Sequence, residues 1–169
     1  MNALRSSSSA RILFICCCLV AAIGHAAEEG TTFNLQKELR IELSTFGHGM
    51  AEAIRGLGRR APPIEESEYV VRSEQIGPGY KVKWITKKSE PDAPFPEYMK
   101  LTKSGTILPG NTILGKTKQS EIINRFGQPY SQRAGTLSYH LPGYQGDDTA
   151  IFTFRSGKLA AVEWHWFID

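Results

Sequence analysis

Cysteine is scarce in this chain, and its three copies stand side by side at residues 16–18, inside the apolar run 12–23. Residues 1–26 have the features of a secretory signal peptide: Arg5 and Arg11 beside the apolar run, then small residues before a cleavage point. A run of 12 residues is shorter than the about 20 that a membrane-spanning helix needs. We therefore expect an exported mature chain that has no cysteine, no disulfide and no thiolate chemistry, and whose stability comes from a packed core.

The chain also lacks a strong charge of either sign. Its formal net charge is +3. Without Arg5 and Arg11 the remaining 18 basic residues face 17 acidic ones, a net charge of +1. This balance gives no electrostatic reason to expect nucleic acid as a partner.

Histidine is rare as well: beyond the signal-like segment it occurs only at positions 48, 140 and 165. No histidine has the i, i+4 partner that helical metal sites use, and the conceivable trio of His140, Glu163 and His165 rests on a two-residue spacing that is common by chance. The serines lack the sequence context of a hydrolytic nucleophile. We therefore predict no metal, no other cofactor and no catalytic residues.

The clearest structural pattern is in the last third, which reads as one short helix followed by three strands that pair in sequence. Thr117 is the expected N-cap, and Ile122 and Phe126 lie on one helical face. Gly127 supplies the C-terminal left-handed position, and Pro129 prevents continuation. The short helix is expected to pack on the sheet, because it is marginal alone.

The last two strands allow two hairpin registers. A two-residue loop of Ser156 and Gly157 sets Arg155 opposite Lys158, which are like charges, and scatters the apolar residues over both faces. A three-residue loop, 155–157, instead pairs Phe154 with Lys158 and gathers the even positions on one face. These positions are Ala150, Phe152, Phe154, Ala160, Val162, Trp164 and Trp166. We predict the three-residue loop.

The region 28–60 has an amphipathic helical stripe, Leu35, Leu39, Leu43, Phe46, Met50, Ile54 and Leu57. Residues 47–49, Gly-His-Gly, predict a break between two helices. The stripe fits packing against a core, and it also fits a membrane-surface or partner helix, with Arg59 and Arg60 beside it.

A hairpin is expected next, with strands 69–74 and 80–87. In the second strand Tyr80, Val82 and Trp84 alternate with lysines, which predicts a sheet with one wet face. Residues 89–96 contain three prolines and are interpreted as a linker or surface loop. The predicted organisation is a signal peptide at 1–26, an N-terminal helix and hairpin region at 27–96, and an α+β domain at 97–169.

Residues 110–117, GNTILGKT, match the phosphate-loop pattern G-x-x-x-x-G-K-[ST]. A phosphate loop requires a parallel βαβ arrangement, whereas tight antiparallel turns follow here. The apolar Ile113 and Leu114 also favour burial. We interpret the segment as a turn before the helix and expect no nucleotide.

Aromatic and polar side chains near strand ends are candidates for contact with another protein. The predicted partner-binding residues are Tyr130, His140, Tyr144, Arg155, Glu163 and His165.

The segment ILPGNTILGKTKQSEIINRFGQP, followed by a strand with Tyr139 and by FTFRSGKLAAVEW, resembles the SmpA/OmlA (BamE-like) family. The matched positions, within about 107–167, include Gly115, Phe126 and Gly157. The resemblance implies an α+β fold in which a short helix packs on an antiparallel β-meander, as in β-lactamase inhibitor proteins. It also implies non-catalytic work at the bacterial envelope.

From residues and resemblance together, the expected function is protein binding in the periplasm or at the periplasmic face of the outer membrane. The protein would be an accessory of outer-membrane assembly or an inhibitor-like binder, and its partner another envelope or exported protein. The amphipathic helix adds an expected membrane contact. The alternative is a small-ligand carrier or an enzyme that uses a cleft between the two halves of the chain.

Overall fold

The computed structural model describes residues 32, 34–57, 63–142 and 148–167, so the predicted signal peptide lies outside the described residues. The chain divides into two compact units, Met1–Gln36 and Lys37–Asp169. All packing described below belongs to the second unit. It combines two helices with a large antiparallel sheet, which confirms the predicted α+β class.

The main sheet has eight strands, and all neighbouring strands in it are antiparallel. A separate two-stranded ribbon pairs β5 (Ile107–Leu108) with β6 (Thr112–Ile113). The strands of the main sheet are β1 (Pro63–Glu66), β2 (Val70–Gly77), β3 (Tyr80–Lys87), β4 (Phe95–Leu101), β7 (Ser131–Arg133), β8 (Thr136–His140), β9 (Thr149–Arg155) and β10 (Lys158–His165). Across the sheet they lie in the order β1-β2-β3-β4-β10-β9-β8-β7.

Strand β4 joins the two halves of the sheet, because it pairs with β3 on one side and with β10 on the other. The prediction of a loop over residues 89–96 is wrong at its end, since β4 begins at Phe95. Pro96 is tolerated there because it lies near the start of the strand, beside a register shift against β3. The predicted domain boundary between residues 96 and 97 falls within this strand.

Helix α1 runs without interruption from residue 34 to residue 56, so the predicted break at residues 47–49 is wrong. Gly47 has a packing role instead. A Cβ at this position would lie 2.7 Å from the Cδ1 and Nε1 atoms of Trp164. The indole Nε1 of Trp164 donates a hydrogen bond to the carbonyl oxygen of Leu43, 3.1 Å away. Glycine is therefore needed because the helix backbone approaches the sheet closely at this point.

The middle of the predicted apolar stripe is packed in the core, which supports its interpretation as a packing surface. Leu43 and Ile54 are buried, and Leu39, Phe46 and Met50 pack against the core. Leu35 and Leu57, at the ends of the stripe, are exposed. None of the described helices is long and apolar enough to cross a membrane.

Helix α2 (Gln119–Phe126) confirms the predicted short helix and its stop at Gly127, but Gly127 has φ 81° and ψ −168° and does not adopt the predicted left-handed helical conformation. Ile122 and Phe126 are fully buried, and the Phe126 ring lies 5.4 Å from that of Phe152. The predicted N-cap is wrong by one residue. Lys118 is the N-cap, and the Glu121 carboxylate accepts its backbone N–H at 2.7 Å. The Thr117 hydroxyl instead accepts the backbone N–H of Ile113 at 2.8 Å.

The predicted hairpin register between β9 and β10 is wrong. Ser156 and Gly157 form a two-residue loop with φ values of 50° and 73°, and Arg155 pairs with Lys158. Positive φ at both central residues is typical of a type I′ turn, whose twist matches that of the strands. A register shift between Leu159 and Ala161 then brings Val162 opposite Phe152, so that both side chains point to the buried side of the sheet.

This bulge explains why the predicted face is nonetheless almost right. The two-residue loop puts Leu159, in place of the predicted Ala160, on the buried side, and beyond the bulge Val162 and Trp164 also point inward. Arg155 and Lys158 are both exposed, and water screens their repulsion.

Candidate functional site

The main sheet has one face that both helices cover and one that no described helix covers. Helix α1 reaches Trp164, and helix α2 reaches Phe152, so both helices pack on the same side. The side chains that alternate with these buried ones along the strands point to the other side of the sheet, and they are half-buried or exposed. We call this second side the open face. In strand order from β2 to β8, it comprises Glu74, Ile76, Lys81, Lys83, Ile85, Tyr98, Lys100, Glu163, His165, Thr149, Ile151, Ser138 and His140.

The centre of the open face is organised around the carboxylate of Glu163. The Tyr98 hydroxyl donates a hydrogen bond to its Oε2 atom at 3.0 Å, and the Lys100 Nζ lies 2.9 Å from its Oε1 atom. The Nε2 atom of His165 is 3.9 Å from Oε2, and the rings of His165 and Tyr98 meet edge to face at 5.0 Å. Glu163 thus contacts two side chains of β4 directly and lies close to His165 of its own strand, β10.

Burial sets the protonation states of this cluster. It raises the pKa of Tyr98, and the negative charge of Glu163 raises that pKa further. Burial also lowers the pKa of His165. The Glu163 carboxylate opposes that effect, and the Lys83 ammonium reinforces it. At neutral pH the centre therefore presents a neutral imidazole and a neutral phenol beside one carboxylate and its lysine.

Three lysines line the part of the open face that β3 and β4 contribute. Lys81 forms an ion pair with Glu74, and Lys100 pairs with Glu163. The Nζ atom of Lys83 lies over the Tyr98 ring, 5.8 Å from its centroid. This arrangement confirms the prediction, made from the alternation of lysines with apolar residues in β3, that one face of this strand is solvent-exposed.

Two predicted residues, Tyr130 and His140, form a second cluster at the far side of the open face. Their rings are stacked, with centroids 3.9 Å apart and planes at 19°. His140 and His165 are both cross-strand partners of Thr149, so two strand spacings, about 10 Å, separate them. Among the described residues no group of three His, Cys, Asp or Glu side chains is placed to hold a metal ion.

The remaining predicted residues do not join these clusters. Arg155 is exposed at the end of β9, six residues beyond Thr149, which corresponds to about 20 Å along the strand. Tyr144 lies outside the described residues. Of the six predicted residues, the structure therefore brings Glu163 and His165 together in the centre, and Tyr130 and His140 at one side.

Sequence reasoning missed Tyr98 and Lys100, both of which contact Glu163. The proline-rich interpretation of residues 89–96 hid β4, which supplies them. The alternation in residues 98–101, where Tyr and Lys face out and Met and Leu face in, is the signal that indicates this strand.

The phosphate-loop-like segment is folded into the β5–β6 ribbon and the turn that follows it. Its backbone N–H groups donate within the protein: Gly115 to the Leu159 carbonyl oxygen, and Lys116 and Thr117 to that of Ile113. Leu114 is fully buried. The segment therefore lacks the free converging N–H groups that hold phosphate in such loops.

The open face offers hydrogen-bond donors, acceptors and aromatic edges over several strands, an arrangement suited to contact with another molecule. In comparisons with known proteins, no protein-family model matches the chain, and no curated protein or solved structure is detectably similar to it.

Proposed function

We propose that this protein is a non-catalytic protein-binding module of the bacterial envelope that contacts its partner through the open face. The observation that carries the proposal is the cluster of Tyr98, Glu163 and His165 on a sheet face that no described helix covers. The hydrogen bond from Tyr98 and the ion pair with Lys100 restrain side chains on this face, and side chains that are already restrained lose less conformational entropy when they bind.

The size of the open face supports a protein partner. The six strands from β2 to β8 have a width of about 24 Å at about 4.8 Å per strand spacing. A specific interface buries about 800 Å² on each partner, and side chains that project from a sheet of this width supply much of that area. Tyr130, 53% exposed, and Ile76, 70% exposed, add apolar surface near its two sides.

The cellular setting of the proposal comes from the sequence. The signal-like residues 1–26 favour export to the periplasm or to the periplasmic face of the outer membrane. The resemblance to the SmpA/OmlA (BamE-like) family, with helix α2 and a β-meander over residues 119–165, favours an accessory of outer-membrane assembly or an inhibitor-like binder.

Site-specific photo-crosslinking in intact cells tests the proposal. A photoreactive residue at His140, on the open face, is expected to crosslink one discrete envelope protein. The matched control is Glu42, an exposed position on helix α1. The crosslink should weaken when His165→Ala is added, since this change alters the centre of the open face.

Equal crosslinking from His140 and Glu42, or a crosslink that His165→Ala leaves unchanged, would contradict the proposal. Circular dichroism of the His165→Ala variant checks that its fold is intact. His165 is itself partly exposed, so we expect its replacement to leave the core unchanged.

A further inference from the structure

A shallow open depression lies on the open face where β3, β4 and β10 meet. Its volume is about 640 Å³, within the range of small-molecule sites. It is lined by Lys81, Lys83, Glu97, Tyr98, Lys100, His165 and Trp166. The protein contact proposed for the open face does not require such a depression.

Among the described residues, all charged side chains that line the depression form ion pairs except one lysine, Lys83. Glu74 pairs with Lys81, Glu163 pairs with Lys100, and Glu97 lies 3.5 Å from Arg72. Lys83 forms no ion pair within the described part of the chain, although Glu74 is its cross-strand neighbour. The depression therefore carries one ammonium group whose charge no neighbouring carboxylate takes up directly.

The surroundings of Lys83 are partly apolar. Its Nζ atom lies over the ring of Tyr98, and Ile85 is the next residue of β3 on the same face. Ile85 is half-buried and lies beside the depression, outside its lining. A ligand whose charge meets Lys83 can therefore lay an apolar body against Tyr98 and Ile85.

We propose that this depression binds an amphipathic organic monocarboxylate, with the carboxylate on Lys83 and the apolar body on Tyr98, extending toward Ile85 beside the depression. One uncompensated cation matches one negative charge. A doubly charged phosphate fits less well, because it meets Glu97 and Glu163 nearby and finds here neither an arginine fork nor a nest of backbone N–H groups. The neutral His165 imidazole offers a further hydrogen bond at the rim.

This inference goes beyond the proposed protein contact and does not depend on it. The ligand site is tested with purified protein and a small molecule, without any partner. A protein that binds the carboxylate but no envelope partner, or the reverse, separates the two proposals.

The test is an NMR titration of ¹⁵N-labelled protein with sodium hexanoate, with 1-hexanol as the uncharged ligand of equal length. We expect saturable shifts of the Tyr98, Lys100 and His165 amides with hexanoate, and no saturation with 1-hexanol. Lys83→Met keeps the chain length and removes the charge. It should weaken binding about tenfold, the usual effect of one charge-assisted contact.

Lys87→Met is the matched control, because Lys87 is on the same face of β3 but does not line the depression. It should bind hexanoate like the wild type. Addition of NaCl to the wild-type titration tests the same charge without any substitution and should weaken binding.

The proposal is overturned if hexanoate causes no saturable shifts at tens of millimolar, if 1-hexanol binds as tightly, or if both lysine variants lose affinity equally. A Lys83→Met variant whose amide spectrum shows a changed fold is replaced by Lys83→Gln, for which the same tenfold loss is expected.

Discussion

The contact between Gly47 and Trp164 gives the sharpest stability prediction. Gly47→Ala places a Cβ 2.7 Å from two atoms of the indole ring, a distance that Cβ atoms do not adopt without a shift. The ring is fully buried and hydrogen-bonded to the Leu43 carbonyl oxygen, so it has little room to move. Either the helix withdraws from the sheet or the indole leaves its position.

The magnitude follows from two opposing effects. Overpacking a core costs about 1–3 kcal/mol, and loss of the indole hydrogen bond adds about 1 kcal/mol. Alanine in place of glycine within a helix returns about 1 kcal/mol. We therefore expect Gly47→Ala to lower the free energy of unfolding by about 1–3 kcal/mol.

Gly49→Ala is the matched control in the same helix. A Cβ at position 49 meets nothing within 4 Å, so only the helix propensity term applies. This variant should raise the free energy of unfolding by about 0.5–1 kcal/mol. Urea unfolding followed by circular dichroism measures both variants under the same conditions.

A double-mutant cycle with Trp164→Phe locates the cause. The smaller ring lacks the Nε1 atom that the new Cβ would strike, so Gly47→Ala should cost less in this background. If Gly47→Ala stabilises the protein as much as Gly49→Ala does, the close approach of α1 to the sheet is not present and the reasoning fails.

Three further predictions use the same unfolding assay. Gly157→Ala should cost about 1 kcal/mol through the backbone conformation alone, because φ is 73° and a Cβ there meets nothing within 4 Å. Ser156→Asn should instead stabilise the protein, because asparagine is favoured at this position of a type I′ turn. Equal effects of the two substitutions on the free energy of unfolding would contradict this turn type. Burial raises the pKa of Tyr139 to about 12, so the stability that its neutral form contributes is complete below the unfolded pKa of about 10 and is lost as the pH rises toward 12. Tyr139→Phe should reduce this loss of stability at high pH. At pH 7 the same substitution should cost about 1 kcal/mol, because the Gly127 carbonyl oxygen loses the hydroxyl donor 2.9 Å away. Burial lowers the pKa of His48 and of His165, so the stability that their neutral forms contribute is complete above about pH 6.5 and declines below it. In a His48→Gln/His165→Gln variant the free energy of unfolding should fall less between pH 7.5 and 5.5 than in the wild type. An equal fall in both proteins would argue against this cause.

The sequence predicted those parts of the fold in which local signals agree. Helix α2 has its apolar face and its glycine stop in one stretch, and the hairpin of β2 and β3 has alternation on both sides of a Pro-Gly turn. Such elements need no knowledge of distant residues. The pairing in sequence of three strands after the helix was also predicted and corresponds to β8, β9 and β10, whereas the short strand β7 was not predicted.

Errors arose where a distant contact decided the outcome. From local sequence alone Gly47 predicts a break in the helix. Its role is apparent only from the position of Trp164, whose indole ring occupies the space that a Cβ at residue 47 would fill. The hairpin register depended on a bulge at residues 159–161, which reconciles the favoured turn with the buried face. Tyr98 was missed because β4 is stabilised by β3 and β10 rather than by its own sequence.

The predicted partner residues illustrate the same division. Glu163 and His165 share a strand face, which alternation alone indicates. Tyr130 and His140 meet because β7 and β8 form a hairpin. The role of Glu163 as the common acceptor for Tyr98 and Lys100 depends on the pairing of β4 with β10, which the sequence does not specify.

That pairing is the central claim of this account, because it joins the two halves of the sheet into one open face. Interstrand nuclear Overhauser effects measure it directly. We expect contacts that join Tyr98 to His165 and Lys100 to Glu163, with slow amide exchange on both sides of β10. Contacts from β10 to β9 alone, with fast exchange of the amides that should face β4, would make β10 an edge strand and contradict the account.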